Sequence, residues 1–162
     1  MVKSNIAELD ASTSSGGTLT VDLSVSCPSS ATGCNVSQIG NTYYLYPVLN
    51  GYYPCGLRLG NQSVQYTWTL NVSATPTSLA SGVNVFVEFV YTDTLPNNPS
   101  YTVDWVFTLD SNGQASQSFG ACITPVNVFP ESGVGVRVTG VKSASGQPIS
   151  YTSSAIGIVP ED

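Results

Sequence analysis

The sequence contains no histidine, and that absence removes most familiar catalytic devices at once. Without imidazole there is no Ser-His-Asp or Cys-His nucleophile, and the commonest metal ligand is missing. Charge is nearly as scarce. Only 9% of the 162 residues are charged, against about 25% in an ordinary globular domain. The four bases, Lys3, Arg58, Arg137 and Lys142, form no cluster. They cannot neutralise a run of phosphates, so nucleic acid is excluded as a partner. The net charge is −6, yet the acids are too sparse for a halophile coat or for hyperthermophile ion-pair networks.

Further absences narrow the field. No apolar run approaches the ~18 residues of a helical membrane span, so no direct membrane insertion is expected. No segment reads as a helix of ten or more residues, and no fixed-period repeat marks a solenoid or propeller. The glycines follow neither phosphate-binding pattern, and there is no G-x-S-x-G. No loop has the carboxylate density of a calcium site. No metal and no cofactor are expected, and the chain reads as non-enzymatic. One carboxylate pair, Glu88 and Asp104, falls mid-strand in neighbouring segments, within reach of the roughly 5–9.5 Å that glycosidases use. Solvation, or pairing with Arg137 or Arg58, is the stronger expectation for so few charges.

What is present is β-structure. Hydrophobic residues make up 41% of the chain, enough for a real core. The segment 63–74, SVQYTWTLNVSA, alternates without fault: Val64, Tyr66, Trp68, Leu70 and Val72 against Ser, Gln, Thr and Asn. A period of two is a strand with one dry face and one wet face. Segments 18–26, 41–49, 82–92, 101–109, 114–123, 133–141 and 148–160 complete a set of about eight strands. In 101–109, Tyr101, Val103, Trp105, Phe107 and Leu109 are expected to point inward. Asn112-Gly113 supplies the positive φ a tight hairpin needs. The fold class is therefore all-β. A two-sheet antiparallel sandwich is expected, with jelly-roll topology favoured over other Greek-key sandwiches. Residues 1–16 read as a flexible arm and 17–162 as a single domain. Within the arm, Ile6, Ala7 and Leu9 form a small apolar set able to dock on a neighbour or add a strand to an open edge.

The remaining features point outside the cell. Cys27, Cys34, Cys55 and Cys122 follow no zinc spacing. A local Cys27–Cys34 bridge would leave Cys55 for Cys122, and disulfides imply an oxidising setting. Asn35, Asn61 and Asn71 head N-x-S sequons, candidate glycosylation sites. No secretion signal is legible in MVKSNIAELDAS, so export needs a removed leader or another route, such as release of a virus particle. The stretch YYLYPVLNGYYP holds Tyr43, Tyr44, Tyr46, Tyr52 and Tyr53, five of the nine tyrosines, and is a candidate interface or glycan platform. Neutral hydrogen-bonding side chains do not titrate, so such a surface changes little in acid. The composition is similar to that of exterior proteins of thermoacidophilic archaea and their viruses.

The expectation is thus a structural assembly protein at a virion or extracellular surface. A viral capsid, penton, turret or decoration protein comes first. A strand-exchanged filament or surface-layer subunit, or a carbohydrate-binding adhesin, is the alternative. Its partners would be copies of itself, other shell or filament subunits, and glycans.

Overall fold

The computed structural model describes residues 17–29, 34–46, 64–92, 100–123 and 133–161. Ten strands are defined there: β1 (Leu19–Ser26), β2 (Asn35–Ile39), β3 (Thr42–Tyr46), β4 (Val64–Thr75), β5 (Asn84–Thr92), β6 (Tyr101–Thr108), β7 (Gln114–Ile123), β8 (Gly133–Lys142), β9 (Tyr151–Ser153) and β10 (Ile156–Pro160). One short helix, α1 (Thr77–Ala80), follows β4. The strands form a four-stranded sheet, β7-β4-β1-β9, and a six-stranded sheet, β2-β3-β10-β8-β5-β6.

Alternation determines what lies between them. In β1, Leu19, Val21, Leu23 and Val25 are buried while their neighbours face solvent. Leu70, Val72 and Ala74 of β4 sit beside them in antiparallel register, and Tyr66 and Trp68 continue the same buried row beyond the end of β1. The six-stranded sheet answers with Val85, Val87, Phe89 and Tyr91 of β5, Val134, Val136 and Val141 of β8, and Ile156 and Ile158 of β10. Trp68 and Tyr91 meet across the interior with centroids 6.2 Å apart. Burial of this apolar set, at roughly 25 cal/mol per Å², is the main force holding the sheets together.

The turn expected at Asn112-Gly113 forms, but it closes no hairpin: it carries the chain from β6 in one sheet to β7 in the other, and at Gly113 φ is 72° and a Cβ would lie 2.7 Å from the Ala74 carbonyl oxygen. Only glycine fits that close approach. Asp110 Oδ1 completes the turn by accepting from the Asn112 and Gln114 amides at 2.8 and 3.0 Å.

Two expectations require correction. The sheets are mixed, not antiparallel: β9 runs parallel to β1, and β10 parallel to β3. Residues 148–160, read as one strand, are two. The chain leaves β9 in one sheet and enters β10 in the other across Ser154 and Ala155. The second correction concerns β2, which the sequence did not announce. NVSQI carries only Val36 and Ile39 as apolar groups, and its pairing with β3 through the Gly40-Asn41 turn makes it a strand. The architecture that stands is a β-sandwich, and these pairings do not establish a jelly roll.

Candidate interaction surface at the open edge of the larger sheet

Strand β6 pairs along its whole length with β5, from Asn84↔Thr108 to Tyr91↔Tyr101. Its other edge meets no strand among the described residues. The alternation correctly assigns Tyr101, Val103, Trp105 and Phe107 to one row, opposite the buried row of β5. Burial does not follow. Phe107 is 3% exposed, but Tyr101, Val103 and Trp105 are 54%, 37% and 42% exposed. Of the five residues expected to point inward, only Phe107 and Leu109 are covered.

The cause is the unequal width of the sheets. At this side β7 ends the smaller sheet, and its Phe119 is the ring that reaches across. Phe119 packs on Phe89 at 4.6 Å, approaches Phe107 at 6.3 Å, and takes Trp105 edge-on at 5.4 Å and 87°. Tyr101 stacks flat on Tyr91, with centroids 4.8 Å apart and planes at 3°. The Tyr91 hydroxyl is pushed up to about 12, chiefly by burial and further by the neighbouring Tyr101.

The outward face of the same edge carries charge. Arg137 of β8, Glu88 of β5 and Asp104 of β6 stand side by side on three adjacent strands. Arg137 Nε donates to Glu88 Oε1 at 2.8 Å. Asp104 lies beyond, opposite Glu88, with no ion-pair partner among the described residues. Two acids facing each other across a ladder repel. Around them Phe86, Val106, Thr139 and both acids line a shallow groove. Lys142 Nζ covers the Phe86 ring at 5.4 Å, while Val106 remains 48% exposed. The edge thus offers apolar rings on one face and an uncompensated carboxylate on the other. As a carboxylate pair, Glu88 and Asp104 are neighbours, but Glu88 is committed to Arg137.

The other sequence-derived sites scatter. Cys27 and Cys34 are bonded, with Cα atoms 5.8 Å apart. Cys55 lies outside the described residues, and Cys122 is described only as a backbone position in β7 opposite Gln65. Asn35 is exposed at the start of β2, and Asn61 lies outside the described residues. Asn71 is half-buried on the outward face of the smaller sheet, where its Nδ2 donates to Ser26 Oγ at 3.0 Å. On that same face the Thr69 and Ser118 hydroxyls bond at 2.9 Å. The uncharged wet face therefore partly satisfies itself across strands.

Tyr43 is a core residue, 5% exposed, and burial pushes its hydroxyl up. It is not available as a platform. Tyr44 and Tyr46, on the opposite face of β3, are half-buried. Tyr52, Tyr53, Ile6 and Leu9 lie outside the described residues. Sequence reasoning missed the exposure of Trp105. The signal available was Asp104, a charge set inside an otherwise aromatic strand, which is how natural sheets mark an edge.

No family model and no curated protein matches this chain. Among solved structures it is similar to a structural-genomics target, SoR45, at 12% identity and a TM-score of 0.45, covering 88% of this chain and 86% of that one. It is similar also to a Bordetella pertussis protein named ApaA, at 13% identity and a TM-score of 0.44, covering 89% and 98%. Likenesses at this level carry no argument about function.

Proposed function

We propose that this chain is a non-enzymatic structural subunit of an assembly outside the cell, held together by contacts between its own copies. The observation that carries this is β6: a long, aromatic strand whose outer edge pairs with no described strand and whose inward-row residues Tyr101, Val103 and Trp105 stay exposed. Such an edge is a template for another strand, opposed within β6 by a single charge, Asp104. The charge-poor surface supports the same reading, because faces of Ser, Thr and Asn can be buried against a neighbour without stranding an ion.

A strand-joined filament or surface layer is the form we favour. An open edge carries a sheet from one copy to the next, whereas the jelly roll that pointed towards a viral shell is not established. A virion component remains the competing form. The burial of Tyr43 counts against a glycan platform built on the tyrosine-rich stretch. Negative-stain electron microscopy of protein from its native source, at neutral pH and near pH 3, is the test. Filaments or lattices are expected. Closed shells, or spikes on shells, would move the reading to the virion, and small monodisperse particles at both pH values would overturn it.

A further inference from the structure

The edge of β6 asks for a partner of definite chemistry. An added strand must bring apolar side chains to Trp105 and Tyr101 on one face, and a cation to Asp104 on the other. The chain has four bases. Arg137 is held by Glu88, and Lys142 sits over Phe86. Arg58 lies in PCGLRLG, which proline and two glycines make a poor strand. Lys3 remains, in VKSNIA, where Val2, Ser4 and Ile6 alternate with Lys3, Asn5 and Ala7.

We propose that β6 accepts residues 2–6 of a second copy as an added antiparallel strand, with Lys3 beside Asp104. This inference rests on the assembly reading above and names its contact. The register follows from the charge. With Lys3 opposite Asp104, antiparallel pairing sets Val2 on Trp105, Ser4 on Val103 and Ile6 on Tyr101. The two aliphatic groups then cover the two exposed rings. Parallel pairing at the same point would set Ser4 on Trp105 and Ile6 on Phe107, which is already buried and has no room.

The charges across four strands would then read plus, minus, minus, plus, so each acid gains a base. Pairing β6 with β6 of another copy about Asp104 would instead bring a third acid to the ladder. Edge strand β2 offers no cation at all. Reach is not limiting: chain path extends at ~3.3 Å per residue, so residues 7–16 span about 33 Å between the donated strand and the body of their own copy.

The test uses full-length chains and sedimentation velocity across a concentration series. Asp104 is exposed, so its reversal leaves the core alone. Lys3→Glu and Asp104→Lys should each raise the concentration at which assembly begins by roughly tenfold, since each loses an ion pair and gains a like-charge contact. Mixing the two variants should restore assembly, because the acid introduced in one copy then meets the base introduced in the other, and the unaltered Lys3 meets the unaltered Asp104. The double variant should assemble alone. Only an exchange between copies predicts recovery on mixing.

If the wild type assembles and both variants assemble equally well, the contact is wrong and the assembly reading survives. Failure of the mixture to recover would also overturn exchange between copies. A wild type that stays monomeric at every concentration overturns both. Should Asp104→Lys fail to fold, as read by near-ultraviolet circular dichroism, Asp104→Asn with Lys3→Glu replaces it. The two replacements should each weaken assembly, by a smaller factor for Asp104→Asn, and indifference to both overturns the contact.

Discussion

Strands β4 and β6 read almost identically in sequence and end in opposite circumstances. Each alternates an aromatic–aliphatic row with a polar row, YTWTL in one and YTVDWVFTL in the other. In β4, Tyr66, Trp68 and Leu70 are no more than 2% exposed. In β6, Tyr101 and Trp105 are about half exposed, at 54% and 42%. The difference lies in their neighbours. β4 is flanked by β7 over most of its length and by β1 from Thr69 onward, whereas among the described residues β6 has β5 on one side and only Phe119 reaching over it. Periodicity states which side chains share a face, and the tertiary arrangement decides whether anything covers that face.

Substitution of the two tryptophans is the sharpest way to break the comparison. Trp68→Ala should cost about 3–5 kcal/mol, the range for deleting a fully buried large aromatic, measured as a fall in the urea midpoint. Next in size is the boundary residue Tyr91, buried beneath Tyr101. Its folded-state pKa is raised from 10.0 to about 12, so the protonated form is the one the fold favours. The stability it contributes is fully present below pH 10 and is lost as pH rises through 12, on the order of 2 kcal/mol. The wild type minus Tyr91→Phe stability difference should fall across that interval and be flat below it. A flat difference throughout would show that the hydroxyl is wetter than its surroundings imply.

Trp105→Ala should cost only about 1 kcal/mol of stability, because the ring is partly solvated and keeps one edge contact on Phe119. Its effect on assembly should exceed that of Trp68→Phe, reversing the order of the two strands. Equal, large destabilisation by Trp68→Ala and Trp105→Ala would mean that β6 is covered in solution. The smallest effect is expected from Glu88→Gln. Arg137 is 63% exposed, and exposed pairs contribute roughly 0.2–1 kcal/mol. A loss above that range would show the ladder of charges to be structural in the monomer.

Much of the sandwich was legible, for reasons that can be named. β1 and β4 have unbroken two-residue periods, β5 keeps a complete inward row although Phe86 and Val90 interrupt its other face, and the inward rows are buried as the alternation requires. The Asp110–Gln114 turn was legible because Gly113 must adopt positive φ there. Elsewhere local pattern lost to tertiary context. In β3, Tyr43 and Tyr44 are adjacent and equally aromatic, so composition gave no reason to assign Tyr43 to the core. The division of residues 148–160 was hidden because Ser154 and Ala155 are compatible with a continuous strand. The mixed direction of the sheets depends on pairings between distant segments, Leu19 with Tyr151 and Thr42 with Gly157, which no local window contains.

Those two parallel pairings have a mechanical consequence. A tether pulling on the chain before β1 and another pulling beyond β10 would draw β1 and β9 past each other along their length. The backbone bonds between them, and the Leu19 amide on the Ser150 carbonyl at 3.0 Å, then bear the load together and must fail together. An antiparallel pair pulled from its open end would lose its bonds singly, in sequence. The passage from β9 to β10 hands some of that tension to the second sheet, so both layers resist it. Tension applied between those two ends is met by hydrogen bonds laid out to be sheared, not unzipped.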